Sequence, residues 1–249
     1  MTAATRPAVL VTGGGSGIGE GIARVLADRG WQVAVNDLDA EAAAAVASQV
    51  GGVAVPGDVE VPGLVDEAVA RCGGRLDGLV NNAGVILRSP LAAVTLEDVD
   101  RTLGVNLRAP MLLSRDALPH LARTGGAVVN LASMTAESPQ LGGGAYSASK
   151  AGLVAFTRQA AIEWGELGVR VNAVAPGMVR SAMAGAYADP TLAEGRRRLV
   201  PAGRIGTPEE VGTVVAFLLS RDAAYVSGET ILVDGALAHA LVRSIPQAP

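Results

Sequence analysis

The sequence predicts an α/β fold in which a doubly wound, seven-stranded parallel sheet carries helices on both faces. Three observations lead there. Short apolar runs alternate with stretches of helical period from start to finish, the pattern of a parallel sheet covered on both sides. Glycine supplies 32 of the 249 residues and aromatic residues only 3%, so the interior has to be built from Ala, Val and Leu and from close backbone approach. With 49% hydrophobic and 18% charged residues, the chain has the apolar content for a full core and is not disordered.

Strands are predicted over Ala8–Thr12, Gln32–Asn36, Val53–Val55, Gly78–Asn81, Ala127–Leu131, Arg170–Ala175 and Thr230–Val233. Helical period falls over Gly19–Arg29, Ala40–Gln49, Leu64–Arg71, Leu96–Leu121, Ala148–Leu167 and Pro208–Leu219. Right-handed crossovers between parallel strands then require double winding. No internal repeat or Pro/Ser-rich linker supplies a boundary, so residues 1–249 are read as one domain. The least regular stretch, Met178–Pro208, is interrupted by Gly, Pro and Arg and is a candidate lid over a ligand.

A formal net charge of −4 and scattered basic residues leave no footprint for nucleic acid or an anionic membrane. The one basic run, Arg196, Arg197 and Arg198, reads as a solvated helix face, favoured over a phosphate or carrier-protein contact. Cys72 is a single cysteine, and His120 and His239 lie far apart, so neither a disulfide scaffold nor a metal site is expected. No secretory pattern or membrane-spanning run is present, and a cytoplasmic protein is expected.

The first strand ends in Thr12-Gly13-Gly14-Gly15-Ser16-Gly17-Ile18-Gly19, followed at once by a helical pattern. Such a turn lets backbone approach a pyrophosphate, while the helix offers free N–H groups and the positive end of its dipole. Asp37 stands eighteen residues beyond Gly19, at the end of the second strand. A carboxylate there accepts hydrogen bonds from both hydroxyls of an adenine ribose and repels a 2′-phosphate, which favours NAD over NADP. Its alternative role, an acidic N-cap, is open to Asp39 as well. No Arg or Lys sits near Ser16 or Asn36 to receive a phosphate.

The spacing T-G-x-x-x-G-x-G resembles the short-chain dehydrogenase/reductase family, and the resemblance extends over almost the whole chain. Asp58-Val59 is similar to that family's adenine contact, Asn81-Asn82-Ala83-Gly84 to its N-N-A-G motif and Pro176-Gly177 to its P-G motif. The resemblance implies a Rossmann-type fold and cofactor contacts at Gly13, Ser16, Gly17, Ile18, Gly19, Asp37, Asp58, Val59, Asn82, Ala83, Gly84, Pro176, Gly177 and Val179. Ser181 stands where the family usually has Thr, and its hydroxyl keeps the hydrogen-bonding capacity.

Tyr146-Ser147-Ala148-Ser149-Lys150 follows Ser133 by thirteen residues, and Asn106 lies further upstream. On a helix, positions i and i+4 share a face, which sets the Lys150 ammonium beneath the Tyr146 ring. A nearby cation stabilises phenolate, so the pair is expected to draw the Tyr146 phenol down from about 10 toward neutrality, as a general base requires. Lys150 is also the only lysine in the chain, every other strongly basic residue being Arg. By resemblance Tyr146 and Lys150 also contact the cofactor, an oxidised nicotinamide's charge assists, Ser133 hydrogen-bonds the substrate oxygen, and Asn106 holds a water that links Lys150 to solvent.

These readings imply an NAD-dependent oxidoreductase interconverting a secondary alcohol and its ketone. The alternatives are a 3-oxoacyl thioester reductase and a nucleotide-sensing regulator, the latter disfavoured by the intact set of four polar residues. The expected substrate pocket is Val85–Arg88, Met134–Gly144 and the lid from Met178 onward, where Arg88, Glu137 and Gln140 could meet the hydroxyls of a polyol or sugar-like substrate. The helices Leu96–Leu121 and Ala148–Leu167 carry more apolar positions than one sheet face can cover. In the family such helices pair subunits, which implies a homotetramer with the apolar C-terminal tail, residues 236–249, at an interface.

Overall fold

The structure, a computed structural model, describes residues 6–180 and 190–240. Seven strands, β1 (Ala8–Val11), β2 (Gln32–Val35), β3 (Val53–Ala54), β4 (Gly78–Asn81), β5 (Ala127–Leu131), β6 (Arg170–Pro176) and β7 (Thr230–Val233), form one parallel sheet in the order β3-β2-β1-β4-β5-β6-β7. Successive strand side chains point to opposite faces. Val9, Val11, Val33, Val35 and Val129 accordingly enter a core shared with Ile22, Leu26, Val211 and Val215. Leu10, Ala34, Leu79 and Val128 enter a second core with Leu64, Leu113 and Leu121. Burial on both faces is why the strands read as unbroken apolar runs.

Helices α1 (Gly17–Asp28), α2 (Ala40–Gln49) and α8 (Pro208–Leu219) cover the first face, and α3 (Leu64–Arg71), α5 (Ala109–Thr124) and α6 (Tyr146–Trp164) the second. Asp39 caps α2, its Oδ1 accepting from the backbone N–H groups of Glu41 and Ala42 at 2.9 and 3.1 Å. Thr207 and Glu210 form a reciprocal capping box at α8, with Pro208 in its first turn.

The sequence predicts a single helix over Leu96–Leu121, and the structure corrects it. Helix α4 (Leu96–Leu103) passes through a π-helical turn, Gly104–Arg108, into α5. A Cβ on Gly104 would stand 2.3 Å from Glu60 Oε1, so the wide turn sits where the chain crosses that carboxylate. Pro110 follows directly and has no N–H for the carbonyl of Asn106. Helix α6 starts at Tyr146, two residues earlier than the periodicity predicts. Part of the expected lid is regular: α7 covers Pro190–Leu199. Its Glu194 pairs with Arg197 at 2.8 Å and Arg198 at 3.0 Å, so these two arginines of the run share one carboxylate on a solvated face.

Candidate active site

Strands β1 and β4 are neighbours from which the winding proceeds in opposite directions, and such a reversal leaves a crevice at the strands' C-terminal ends. A cleft of about 460 Å³ lies there. Its floor comes from the Gly-rich turn after β1, its far rim from Asp37, Asp58 and Val59 after β2 and β3, and its centre from Asn82, Ala83 and Gly84 after β4. Ser133, Tyr146 and Lys150 form the opposite end with Pro176, Gly177 and Val179.

The turn is shaped by glycine for steric reasons. Gly13 and Gly17 adopt φ of 60° and 56°, conformations that a Cβ disfavours. A Cβ on Gly13 would stand 2.9 Å from the Ala83 Cα, and one on Gly19 would stand 2.0 Å from the Gly13 carbonyl oxygen. Ser16 precedes α1 in extended conformation without capping it through its side chain, and Ser16, Gly17, Ile18 and Gly19 all line the cleft. Asp37 Oδ2 accepts from the Gly15 N–H at 2.9 Å and Oδ1 from the Asp39 N–H at 3.1 Å. Asp37 therefore braces the turn as well as presenting an acceptor-only group to the cleft.

The β1 and β4 ends are tied by Thr12, which the sequence reading passed over. Its hydroxyl accepts from the backbone N–H groups of Asn82 and Ala83 at 3.0 and 3.1 Å, and Asn82 Nδ2 donates to the carbonyls of Thr12 and Gly13 at 2.9 Å each. A polar residue closing an apolar strand is the signal that was available. Beside it, Asn36 lines the cleft with its Oδ1 buried and unpartnered among the described residues.

At the other end Tyr146 opens the first turn of α6, so Lys150 falls one turn on, its Nζ 5.7 Å from the ring centroid. Lys150 is buried and donates to the Leu131 carbonyl at 2.7 Å. Burial pushes its ammonium down to about 8. The expectation that Lys150 draws Tyr146 downward is corrected: burial holds the phenol above its ordinary value, against a hydrogen bond from Ser133 and the positive charge of Arg88. Desolvation outweighs the Ser133 hydrogen bond and the Arg88 charge, while Lys150 faces the ring with one of its three N–H groups given to Leu131.

Asn106 sits in the π turn, fully buried, and does not line the cleft. Its Oδ1 accepts from the Val85 N–H at 2.8 Å, while Nδ2 donates to the Val85 carbonyl at 2.9 Å and to Ser149 Oγ at 3.1 Å. In this geometry it clamps the segment after β4 to α6. Of the expected substrate pocket, Val85, Ile86, Arg88 and Gln140 line the cleft. Glu137 is exposed and outside that lining. Ser181 lies outside the described residues, and no cluster of potential metal ligands exists among those described.

Residues 13–237 match the family model described as Enoyl-(Acyl carrier protein) reductase. A D-threitol dehydrogenase of Mycolicibacterium smegmatis is 37% identical, the match covering 91% of this chain and 90% of the relative. The chain belongs to the short-chain dehydrogenase/reductase family. A meso-2,3-butanediol dehydrogenase of Serratia marcescens is 36% identical over 91% of this chain and 92% of its own length. Among solved structures, a 3-ketoacyl-(acyl-carrier-protein) reductase from Brucella melitensis complexed with NADH superimposes with a TM-score of 0.86 at 32% identity, covering 93% of this chain and 98% of that one. As a member of this dehydrogenase/reductase family the chain is an oxidoreductase of alcohols and ketones that uses a nicotinamide cofactor. The cleft fits that cofactor: the Gly-rich floor admits backbone approach at positions a Cβ would fill, and Asp37 and Asn36 Oδ1 offer acceptors beside it.

Proposed function

We propose that the chain interconverts a small polyol or vicinal diol and its ketone with NAD, Tyr146 exchanging the hydroxyl proton. The observation that carries this reading is the meeting of Tyr146, Lys150 and Ser133 at one end of a cleft whose other end is the Gly-rich turn. A dinucleotide held by the turn, by Asp37, Asp58 and Val59, by Asn82, Ala83 and Gly84, and by Pro176, Gly177, Val179 and Ser181 supplies the hydride acceptor or donor and, when oxidised, a positive charge.

In oxidation, Ser133 Oγ–H donates to the substrate oxygen and orients the carbinol. Tyr146 Oη, its phenolate form favoured when the charge of a bound oxidised nicotinamide would add to those of Arg88 and Lys150 against desolvation, takes the hydroxyl proton, and in reduction it returns it. Lys150 supplies the compact cation that favours the phenolate, and Asn106 holds the wall carrying Val85 and Ser149 in place. NAD is favoured because Asp37 accepts hydrogen bonds and repels phosphate, while Arg101, the cation on that rim, is engaged by Glu60 at 2.7 Å. The names of the threitol and butanediol relatives support a diol substrate. The alternative of a 3-oxoacyl thioester reductase has the name of the Brucella relative in its favour. A reaction drawing on the nicotinamide pool fits a cytoplasmic setting.

Initial rates with D-threitol, meso-2,3-butanediol, glucitol and the reduction of an acetoacetyl thioester, each with NAD or NADP in the matching redox state, test the assignment. Diol oxidation with NAD is expected to dominate, Asp37→Ala to narrow the preference over NADP, and Tyr146→Phe to abolish turnover while NADH still binds. Dominant thioester reduction, a higher kcat/KM with NADP, or wild-type turnover by Tyr146→Phe would each overturn the corresponding part.

A further inference from the structure

Ser133 has one proton and two lone pairs to distribute, and the neighbouring residues account for both lone pairs. It precedes a short 3₁₀ turn, Met134–Ala136, with its backbone extended. The Thr135 backbone N–H donates to Ser133 Oγ at 3.2 Å, and the Thr135 hydroxyl lies 3.0 Å from the same oxygen. The first contact is ordinary capping, which any side chain at position 135 would leave intact. The second is specific to a hydroxyl. Thr135 is 2% exposed, and Val would fill the same volume without a buried polar atom to satisfy.

We propose that Thr135 is a positioning residue: by donating both its N–H and its O–H to Ser133 Oγ, it occupies the acceptor capacity of that oxygen and leaves its proton directed into the cleft. The proposal rests on the reading of Ser133 as donor to the reacting oxygen. The opposite polarity, Ser133 donating to Thr135, would turn the proton away from the cleft that Ser133 lines. In the free site Ser133 also hydrogen-bonds Tyr146 in the direction that favours phenolate, and on substrate binding its single proton turns to the substrate oxygen beside Tyr146. Thr135 to Ser133 to Tyr146 is then a chain of one polarity, in which each donor strengthens the next. Thr135 is absent from the cleft lining and acts through Ser133.

The test uses the diol that the wild-type chain oxidises fastest with NAD. Thr135→Val is expected to lower kcat about tenfold, the effect of one hydrogen bond, with KM within about twofold and Thr135→Ser restoring most of the rate. In Thr135→Val the phenolate absorbance of Tyr146, measured as the difference from the same variant carrying Tyr146→Phe, should titrate at higher pH, a readout that needs no substrate. Ser133→Ala with Thr135→Val should be no slower than Ser133→Ala alone. If the valine variant does not fold, Thr135→Ala takes its place in every comparison.

Wild-type kcat in Thr135→Val or Thr135→Ala, with Ser133→Ala severely impaired, overturns the role of Thr135 alone. The same holds if the two losses multiply in the double variant, which would mark a packing effect. Wild-type turnover by Ser133→Ala overturns the reading of Ser133 and the proposal with it.

Discussion

Lys150 illustrates how a single side chain is made useful by where it is buried. An ammonium out of water loses hydration that one carbonyl contact does not restore, and its pKa falls to about 8. At neutral pH it is still charged, so the site keeps a cation facing the Tyr146 ring. As pH rises through about 8 that charge is lost in the free enzyme, and the support for phenolate goes with it. The pH profile of kcat/KM, which reports free-enzyme ionisations, is therefore expected to show an inflection near 8. Lys150→Arg keeps its charge throughout this range and should remove the inflection while lowering the rate. A profile unchanged by the substitution would assign the ionisation elsewhere. The linkage runs the same way for folding. Between about 8 and about 10.4 the unfolded chain binds the proton and the folded chain does not, so this group's contribution to stability rises with pH across that window.

Among the elements, α1 and α8 show how close approach substitutes for large side chains. A Cβ on Gly21 would stand 2.3 Å from the Cβ of Pro208, and one on Gly212 would stand 3.0 Å from the Gly21 carbonyl oxygen. The two helices meet backbone to backbone, with the cap of α8 against the helix that begins at the Gly-rich turn. Gly21→Ala is expected to destabilise by about 1–3 kcal/mol, because the obstruction is Pro208 backbone and ring rather than a flexible side-chain end. Gly165→Ala, where nothing lies within 4 Å, should stay within about 0.5 kcal/mol of the parent. Thermal melts of the two variants make the comparison, and equal melting temperatures would remove the packing argument. Since α1 carries the floor of the cleft, Gly21→Ala should also weaken NADH binding.

At the scale of the whole molecule, the outer surfaces of the helices on the second face carry exposed apolar side chains. Leu96 is 76% exposed and Ile162 77%, while Leu103, Leu107, Met111 and Leu112 border a shallow groove of about 330 Å³ between α4 and α5. An apolar surface of this kind costs free energy in water, and we propose that a second copy of the chain covers it about a two-fold axis. A homotetramer is the expected assembly. The tail begins in order, Asp234 accepting from the N–H groups of Ala236 and Ala238 at 2.8 and 2.7 Å; residues 241–249 lie outside the described part. Light scattering should give a tetramer for the full chain and a smaller or less stable species for a chain ending at Gly235. A monomeric full-length protein would defeat the first expectation, and an unchanged assembly, activity and melting temperature after truncation the second.

The sequence by itself determined the fold class, the positions of all seven strands to within a residue or so, the Gly-rich turn and the Tyr146–Lys150 spacing, since these follow from short-range rules; the other cleft contacts were legible only through the family resemblance. Apolar runs mark strands buried on both faces, helical spacing sets Lys150 one turn from Tyr146, and glycine marks the turn where only glycine fits. The stretch Met178–Pro208 shows no such period, and α7 stayed hidden among Gly, Pro and Arg. What only the tertiary structure decided were relations between segments distant along the chain. The long helix gives way to a π turn at Gly104, where the carboxylate of Glu60, forty-four residues away, leaves no room for a Cβ. Asn106 is occupied by Val85 and Ser149, and Lys150 is held by a backbone carbonyl of β5, a partner that no side-chain pattern encodes. The balance of charge at Tyr146 belongs to the same class, because desolvation depends on everything packed around a group, whereas spacing reports only what lies beside it on one helix.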